Sequence, residues 1–186
     1  MKRVLLDVDG VLAGFASAYL DVIREVTGRT YGLNEITAFD IGASLGLTKD
    51  EASACKRWLG ASRGWCEAIP VLDGAQAGVA ALQSIADVYI VTSPWNSCAT
   101  WTHEREAWLK RHFDIPHSRV VHTSAKWLCR GDLIVDDKAS AVEQWQAEHP
   151  TGRGVLWSTP HNQLEGWAGE RTNDWGVLHE IVAGTK

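Results

Sequence analysis

The chain has 186 residues, a formal net charge of −5, and is 45% hydrophobic and 22% charged, an ordinary composition for one soluble globular unit. The acidic balance argues against a groove for nucleic-acid polymers and against an anionic membrane surface. No apolar run approaches the roughly 20 residues of a membrane span, and the N-terminus lacks the apolar segment and small-residue cleavage site of a secretory signal.

In chain order, Val4-Leu5-Leu6 predicts a buried strand that runs into Asp7-Val8-Asp9-Gly10. Side chains alternate faces along a strand. Asp7 and Asp9 are therefore expected to project the same way at the carboxyl edge of a sheet, where open parallel sheets place their ligands. Phe15, Tyr19, Val22, Ile23 and Val26 recur at spacings of three and four, which predicts a helix over 13–27 stopped by Gly28. Thr48-Lys49-Asp50-Glu51 is a capping-box pattern opening a helix through about Leu59. Residues 29–69 break the strand-helix alternation. The segment 14–69 is expected to form a small helical cap, with 1–13 and 70–186 as the core.

From Pro70 the alternation resumes. Asp73 is expected to cap a helix carrying Val79, Leu82 and Ile85. Val88–Val91 predicts a strand ending in Thr92-Ser93-Pro94-Trp95, and 101–113 an amphipathic helix. Further strands are expected at Arg119–His122, Leu133–Val135 (ending in Asp136-Asp137) and Gly154–Trp157, with helices at 139–148 and from Asp174 to Val182. Short apolar strands alternating with helices predict an α/β fold with a parallel sheet covered on both faces.

The polar residues collect at strand ends. Asp7, Asp136 and Asp137 offer hard oxygen ligands for Mg2+. Asp7 could attack phosphorus and Asp9 could protonate the leaving oxygen and later activate water. Lys126 could neutralise phosphate charge, and the Thr92 hydroxyl could donate to a phosphate oxygen. Each piece alone also reads as a turn, a cap or a solvated side chain; their joint order at successive strand ends favours one phosphate site. The four cysteines, Cys55, Cys66, Cys98 and Cys129, lack metal-ligand spacing and read as reduced thiols of a cytoplasmic protein. The seven scattered histidines read as structural or surface residues. Ten tryptophans, eight of them beyond residue 90, suggest that an aromatic face or two lines a pocket.

Taken together, Asp7-Val8-Asp9, Thr92, Lys126 and Asp136-Asp137 resemble the four motifs of the haloacid dehalogenase-type phosphatases. Asp-Val-Asp-Gly-Val-Leu-Ala-Gly-Phe at 7–15, Val-Thr-Ser-Pro at 91–94 and Trp-Leu-Lys-Arg-His-Phe at 108–113 are similar to the 5'(3')-deoxyribonucleotidases within them. So are Gly-Asp-Leu-Ile-Val-Asp-Asp-Lys at 131–138 and His-Asn-Gln-Leu at 161–164. The resemblance implies a Rossmann-like core with a helical cap. It also implies Asp7 as nucleophile, Asp9 as acid/base, and phosphate held by Thr92, Ser93 and Lys126. Magnesium would be bound by Asp7, the Asp9 carbonyl and Asp136, with Asp137 in support and Phe15 beside the base. The implied substrate is a nucleoside monophosphate, and a homodimer is compatible with it. The 29–69 segment is shorter than the family's cap and carries over no base contacts. Phe39, Trp65 and Trp95 are pocket candidates on their own chemistry. Two alternatives stay open: a phosphatase for a sugar or cofactor-precursor phosphate, and a receiver-type domain that keeps its phosphate.

Overall fold

Four apolar runs have side chains buried on both sides and pair as parallel strands at the centre of one sheet. The computed structural model describes residues 1–163 and 166–184. Among these, β1 (Lys2–Leu6), β2 (Ala86–Thr92), β3 (Val120–His122), β4 (Leu133–Asp136), β5 (Arg153–Trp157) and β6 (Glu170–Thr172) form one sheet in the order β3-β2-β1-β4-β5-β6. Every pairing is parallel.

The two-residue period divides the strand side chains between two cores. Val4, Leu6, Val88, Ile90, Leu133, Val135, Val155 and Trp157 join one apolar cluster. The intervening Leu5, Val91, Ile134 and Leu156 join another. The first is covered by α4 (Ala75–Gln83), α5 (Trp101–Phe113) and α7 (Trp175–Ala183) through Val79, Leu82, Trp108, Leu109 and Leu178. The second is covered by α6 (Ala139–Glu148) through Val142 and Trp145. A sheet packed on both faces gives strands without polar alternation, as the sequence shows.

Between β1 and β2 lie α1 (Phe15–Thr27), α2 (Ile41–Ser44) and α3 (Lys49–Ala61). They share a separate apolar cluster of Tyr19, Val22, Ile23, Ile36, Ile41, Leu45, Cys55 and Leu59. Gly28 ends α1 in the left-handed region, at φ 71°, which a residue without Cβ adopts freely. Thr48 and Glu51 form the expected capping box on α3. The two chain crossings at the base of this unit are tied together. Gly14 N donates to Pro70 O at 2.8 Å, and Leu72 N donates to Leu12 O at 2.8 Å.

One expectation is corrected and one strand is added. Asp73 does not cap α4: that position belongs to Gly74, whose φ of 76° and lack of a side chain leave the first N–H groups without a side-chain acceptor. The strand β6 was not foreseen, because Glu170-Arg171-Thr172 is a three-residue charged edge with no apolar run. No helix among the described residues is long and apolar enough to cross a membrane.

Candidate active site

The chain extends from β1 to β3 on one side of the sheet, then returns beside β1 with β4 and continues outward. The carboxyl ends of β1 and β4 therefore flank the point where strand order reverses, the usual crevice for a ligand in such sheets. Asp7 follows β1 and Asp136 ends β4, and Asp7 N donates to Val135 O at 2.9 Å, which extends the ladder into the site. Asp7, Asp136 and Asp137 are buried, and each places a carboxylate oxygen within 4.8 Å of the others.

Lys126 enters this cluster from a single helical turn, Lys126–Leu128. Its Nζ lies 2.9 Å from Asp7 Oδ1 and 2.6 Å from Asp136 Oδ2. Burial works against its charge, but the two carboxylates outweigh burial and hold its pKa above the usual lysine value. Burial pushes the Asp136 carboxyl up to about 6 although Lys126 opposes it. Asp137 is driven further above the ordinary range by burial, then by the Asp136 and Asp7 charges. Four carboxylates, Asp7, Asp9, Asp136 and Asp137, are met by the permanent cations Lys126 and Arg105 and, at Asp137, by the titratable His161. A divalent cation would neutralise the remaining charge, and an all-oxygen donor set suits a hard ion. Thr92, at the end of β2, is buried with an Oγ1 that has no hydrogen-bond partner, so its hydroxyl is available to a ligand oxygen.

Asp9 lines the same cavity and is 27% exposed. Burial raises its pKa, the Arg105 guanidinium opposes this, and the Asp7 carboxylate adds to the rise. Gly10 is left-handed at φ 78°, and a Cβ there would sit 1.9 Å from Asp137 Oδ2 and 2.7 Å from its Cγ. A glycine is required both by the turn and by the close approach of the Asp137 carboxylate. Gly10→Ala is accordingly expected to displace Asp137 and lower kcat/KM by about 100-fold or more in a protein that still folds; wild-type kinetics would refute the close approach.

The loop after β5 braces Asp137 from behind. Asn162 Nδ2 donates to Asp137 O at 2.7 Å and to Trp157 O at 2.8 Å, and His161 Nε2 lies 3.4 Å from Asp137 Oδ2. His161 thus belongs to the site, a correction to the reading of all seven histidines as structural or surface residues; its one sequence signal is membership of the 161–164 motif. Leu164, the last residue of the 161–164 motif, lies outside the described residues.

These groups open into a cavity of about 850 Å³ between the strand ends and the helices α1–α3. Phe15, Phe39, Trp95 and the exposed Ser93 line it. Phe15 and Trp95 face each other with centroids 5.8 Å apart. Trp65 is a correction: it is absent from the lining and packs edge-on against Phe15 at 5.8 Å and beside Trp101 at 6.0 Å, because it is taken up in the packing against the apolar core. Phe39 reaches across the opening to the core, 4.3 Å from Lys138 Nζ and 5.8 Å from the His161 ring. Arg105 escapes the sequence reading altogether, and Asn162 enters it within the 161–164 motif without a role. Arg105 is fully buried and its Nη2 donates to Asp9 Oδ1 at 2.6 Å.

The whole chain, residues 1–186, matches the family model described as 5' nucleotidase, deoxy (pyrimidine), cytosolic type C protein. A 5'(3')-deoxyribonucleotidase of Bacillus subtilis is 31% identical over 167 residues, covering 89% of this chain and 90% of its own. The human mitochondrial 5'(3')-deoxyribonucleotidase is 27% identical over 191 residues, covering 95% and 81%. A solved haloacid dehalogenase-type hydrolase of Bacillus subtilis, bound to magnesium, shares the fold with a TM-score of 0.58 at 16% identity, over 97% of this chain and 98% of its own. A match that runs the full length, and includes every strand-end motif around Lys126, leaves one conclusion: the chain belongs to the 5' nucleotidase, deoxy (pyrimidine), cytosolic type C family and is a phosphatase acting on phosphoric monoesters.

Proposed function

We propose that the protein is a magnesium-dependent phosphatase that releases phosphate from deoxyribonucleoside monophosphates through an aspartyl-phosphate. The observation that carries this reading is the convergence of Asp7, Thr92, Lys126, Asp136 and Asp137 beneath an aromatic-walled cavity large enough for a nucleotide. The relatives named as deoxyribonucleotidases support the substrate class.

Asp7, Asp136 and the Asp9 main-chain carbonyl would hold the ion, with Asp137 in support; when bound it offsets charge between the carboxylates and the incoming phosphate. Lys126 and the Thr92 hydroxyl bind phosphate oxygens, and Ser93 adds a donor at the rim. A carboxylate oxygen of Asp7 forms a bond to phosphorus while the bond from phosphorus to the nucleoside oxygen breaks. Asp9 gives its proton to that departing oxygen. It then takes a proton from a water whose oxygen attacks phosphorus, which frees Asp7 and inorganic phosphate. The raised pKa of Asp9 suits the first of these roles.

Residues 14–69 act as a cap over this chemistry, and Phe15, Phe39 and Trp95 offer flat faces to a base. Cysteines carried as free thiols support a cytoplasmic setting. Phosphate release from a panel of deoxyribonucleotides, ribonucleotides and sugar phosphates tests the assignment. A deoxyribonucleoside monophosphate is expected to give the highest kcat/KM. A sugar phosphate surpassing every nucleotide would overturn the substrate class, and a stable phosphoprotein without turnover would overturn the enzyme.

A further inference from the structure

We propose that Arg105 is a positioning residue for Asp9, built into α5 to hold the acid/base carboxylate at the leaving-group side of the site. The proposal rests on the reading of Asp9 as the acid/base.

Three observations carry it. The first is isolation: Arg105 has no exposed surface, and its ion pair is with Asp9 at 2.6 Å, while Nε and Nη1 have no hydrogen-bond partner. A buried guanidinium is an unfavourable choice for packing alone, since apolar residues of similar volume commonly serve as well or better. The second is rigidity. Arg105 lies over the Trp101 and Trp108 rings at 4.9 and 5.4 Å, stacking that fixes the plane of the guanidinium.

The third is the anchoring of the helix that carries it. Trp108 Nε1 donates to Ile69 O at 2.8 Å, and the buried Glu104 accepts from Gly64 N at 2.7 Å and Cys66 N at 3.0 Å. Residues 101, 104, 105 and 108 fall on one helical face. That face therefore grips the segment returning from α3 and delivers Arg105 to Asp9 from a fixed platform. Lys126 engages Asp7 and Asp136, so the two aspartates of the motif are separated by different cations. Asp7 is left facing phosphorus and Asp9 is drawn aside toward the departing oxygen. A site group held by residues that are themselves locked keeps its productive geometry.

Leaving groups distinguish positioning from mere structure. A nucleoside alkoxide needs a proton as it departs, whereas p-nitrophenolate departs without one. Arg105→Met is expected to lower kcat/KM for a nucleoside monophosphate by about 10- to 100-fold while changing that for p-nitrophenyl phosphate less than about threefold. Arg105→Lys, which keeps the charge but loses the fork, is expected to fall between. Asp9→Asn is measured beside them. In the Asp9→Asn background, Arg105→Met is expected to have no further effect, because residues that act as a unit are not additive. Equal losses on both substrates, or additive losses in the double variant, would overturn the proposal. If Asp9→Asn itself showed no leaving-group preference, the acid/base reading would fail instead. Should Arg105→Met not fold by circular dichroism, Arg105→Lys and Arg105→Gln are judged by the same substrate ratio.

Discussion

Asp7→Asn is expected to abolish phosphatase activity, by about 10⁴-fold or more, while leaving the fold intact. The exchange keeps the shape of the side chain and removes a negative charge from a cluster that has an excess of them. Lys126 loses one carboxylate partner but keeps the other, Asp136, at 2.6 Å. The thermal midpoint without metal should therefore hold or rise, and the lost activity cannot be ascribed to unfolding. Acid quenching of wild-type enzyme during turnover, followed by peptide mass spectrometry, should find one phosphoryl group on the peptide bearing Asp7, absent in the variant. A variant retaining a tenth of wild-type activity would eliminate Asp7 as the nucleophile. The same result would leave the phosphate-binding roles of Thr92 and Lys126 standing, since those depend on charge and donors rather than on a covalent bond.

The parts of the site that sequence could reveal are those fixed by strand ends. Asp7, Thr92 and Asp136 stand where a continuous apolar run stops, and strands buried on both faces make such stops visible. Helices with a single apolar face, such as α1, or with a local cap, such as α3, are legible for the same reason: the signal lies within a few residues. Arg105 was hidden because Glu104-Arg105-Glu106 resembles the solvated face of an amphipathic helix. The available signal was that positions 104 and 105 share a face with Trp101 and Trp108, so that charges sit inside an aromatic stripe. Asn162 and His161 are visible only as members of the 161–164 motif, and their role is not, since their partner Asp137 is remote in the chain. Trp65 and Trp95 have the same chemistry, and only tertiary packing decides that Trp95 meets the cavity and Trp65 packs against Phe15 and Trp101.

Magnesium is expected to stabilise the protein against heat, and to do so far more at pH 7.5 than at pH 5. The carboxyls of Asp136 and Asp137 are raised in the folded state, the first to about 6, whereas an unfolded aspartate titrates near 3.9. Between these values the folded protein binds more protons than the unfolded chain. These two carboxyls therefore contribute stability without metal that declines as pH rises from about 4 through about 6, because folding retains protons on them that the solution increasingly withdraws. Lys126 is raised too, but it stays charged in both states across this window and contributes no slope there. A divalent cation requires deprotonated ligands, so it competes with those retained protons at pH 5 and meets an ionised Asp136 at pH 7.5. With the ion at 100 times its dissociation constant the gain is about 2.7 kcal/mol, a rise in Tm of about 5–10 °C for a chain of this size. Differential scanning fluorimetry with magnesium or EDTA at the two pH values checks this directly. Asp136→Asn should remove most of the magnesium increment at pH 7.5 and flatten the pH dependence of the metal-free protein. An equal increment at both pH values would mean that the ion binds elsewhere, and no increment at either would remove the metal from the mechanism.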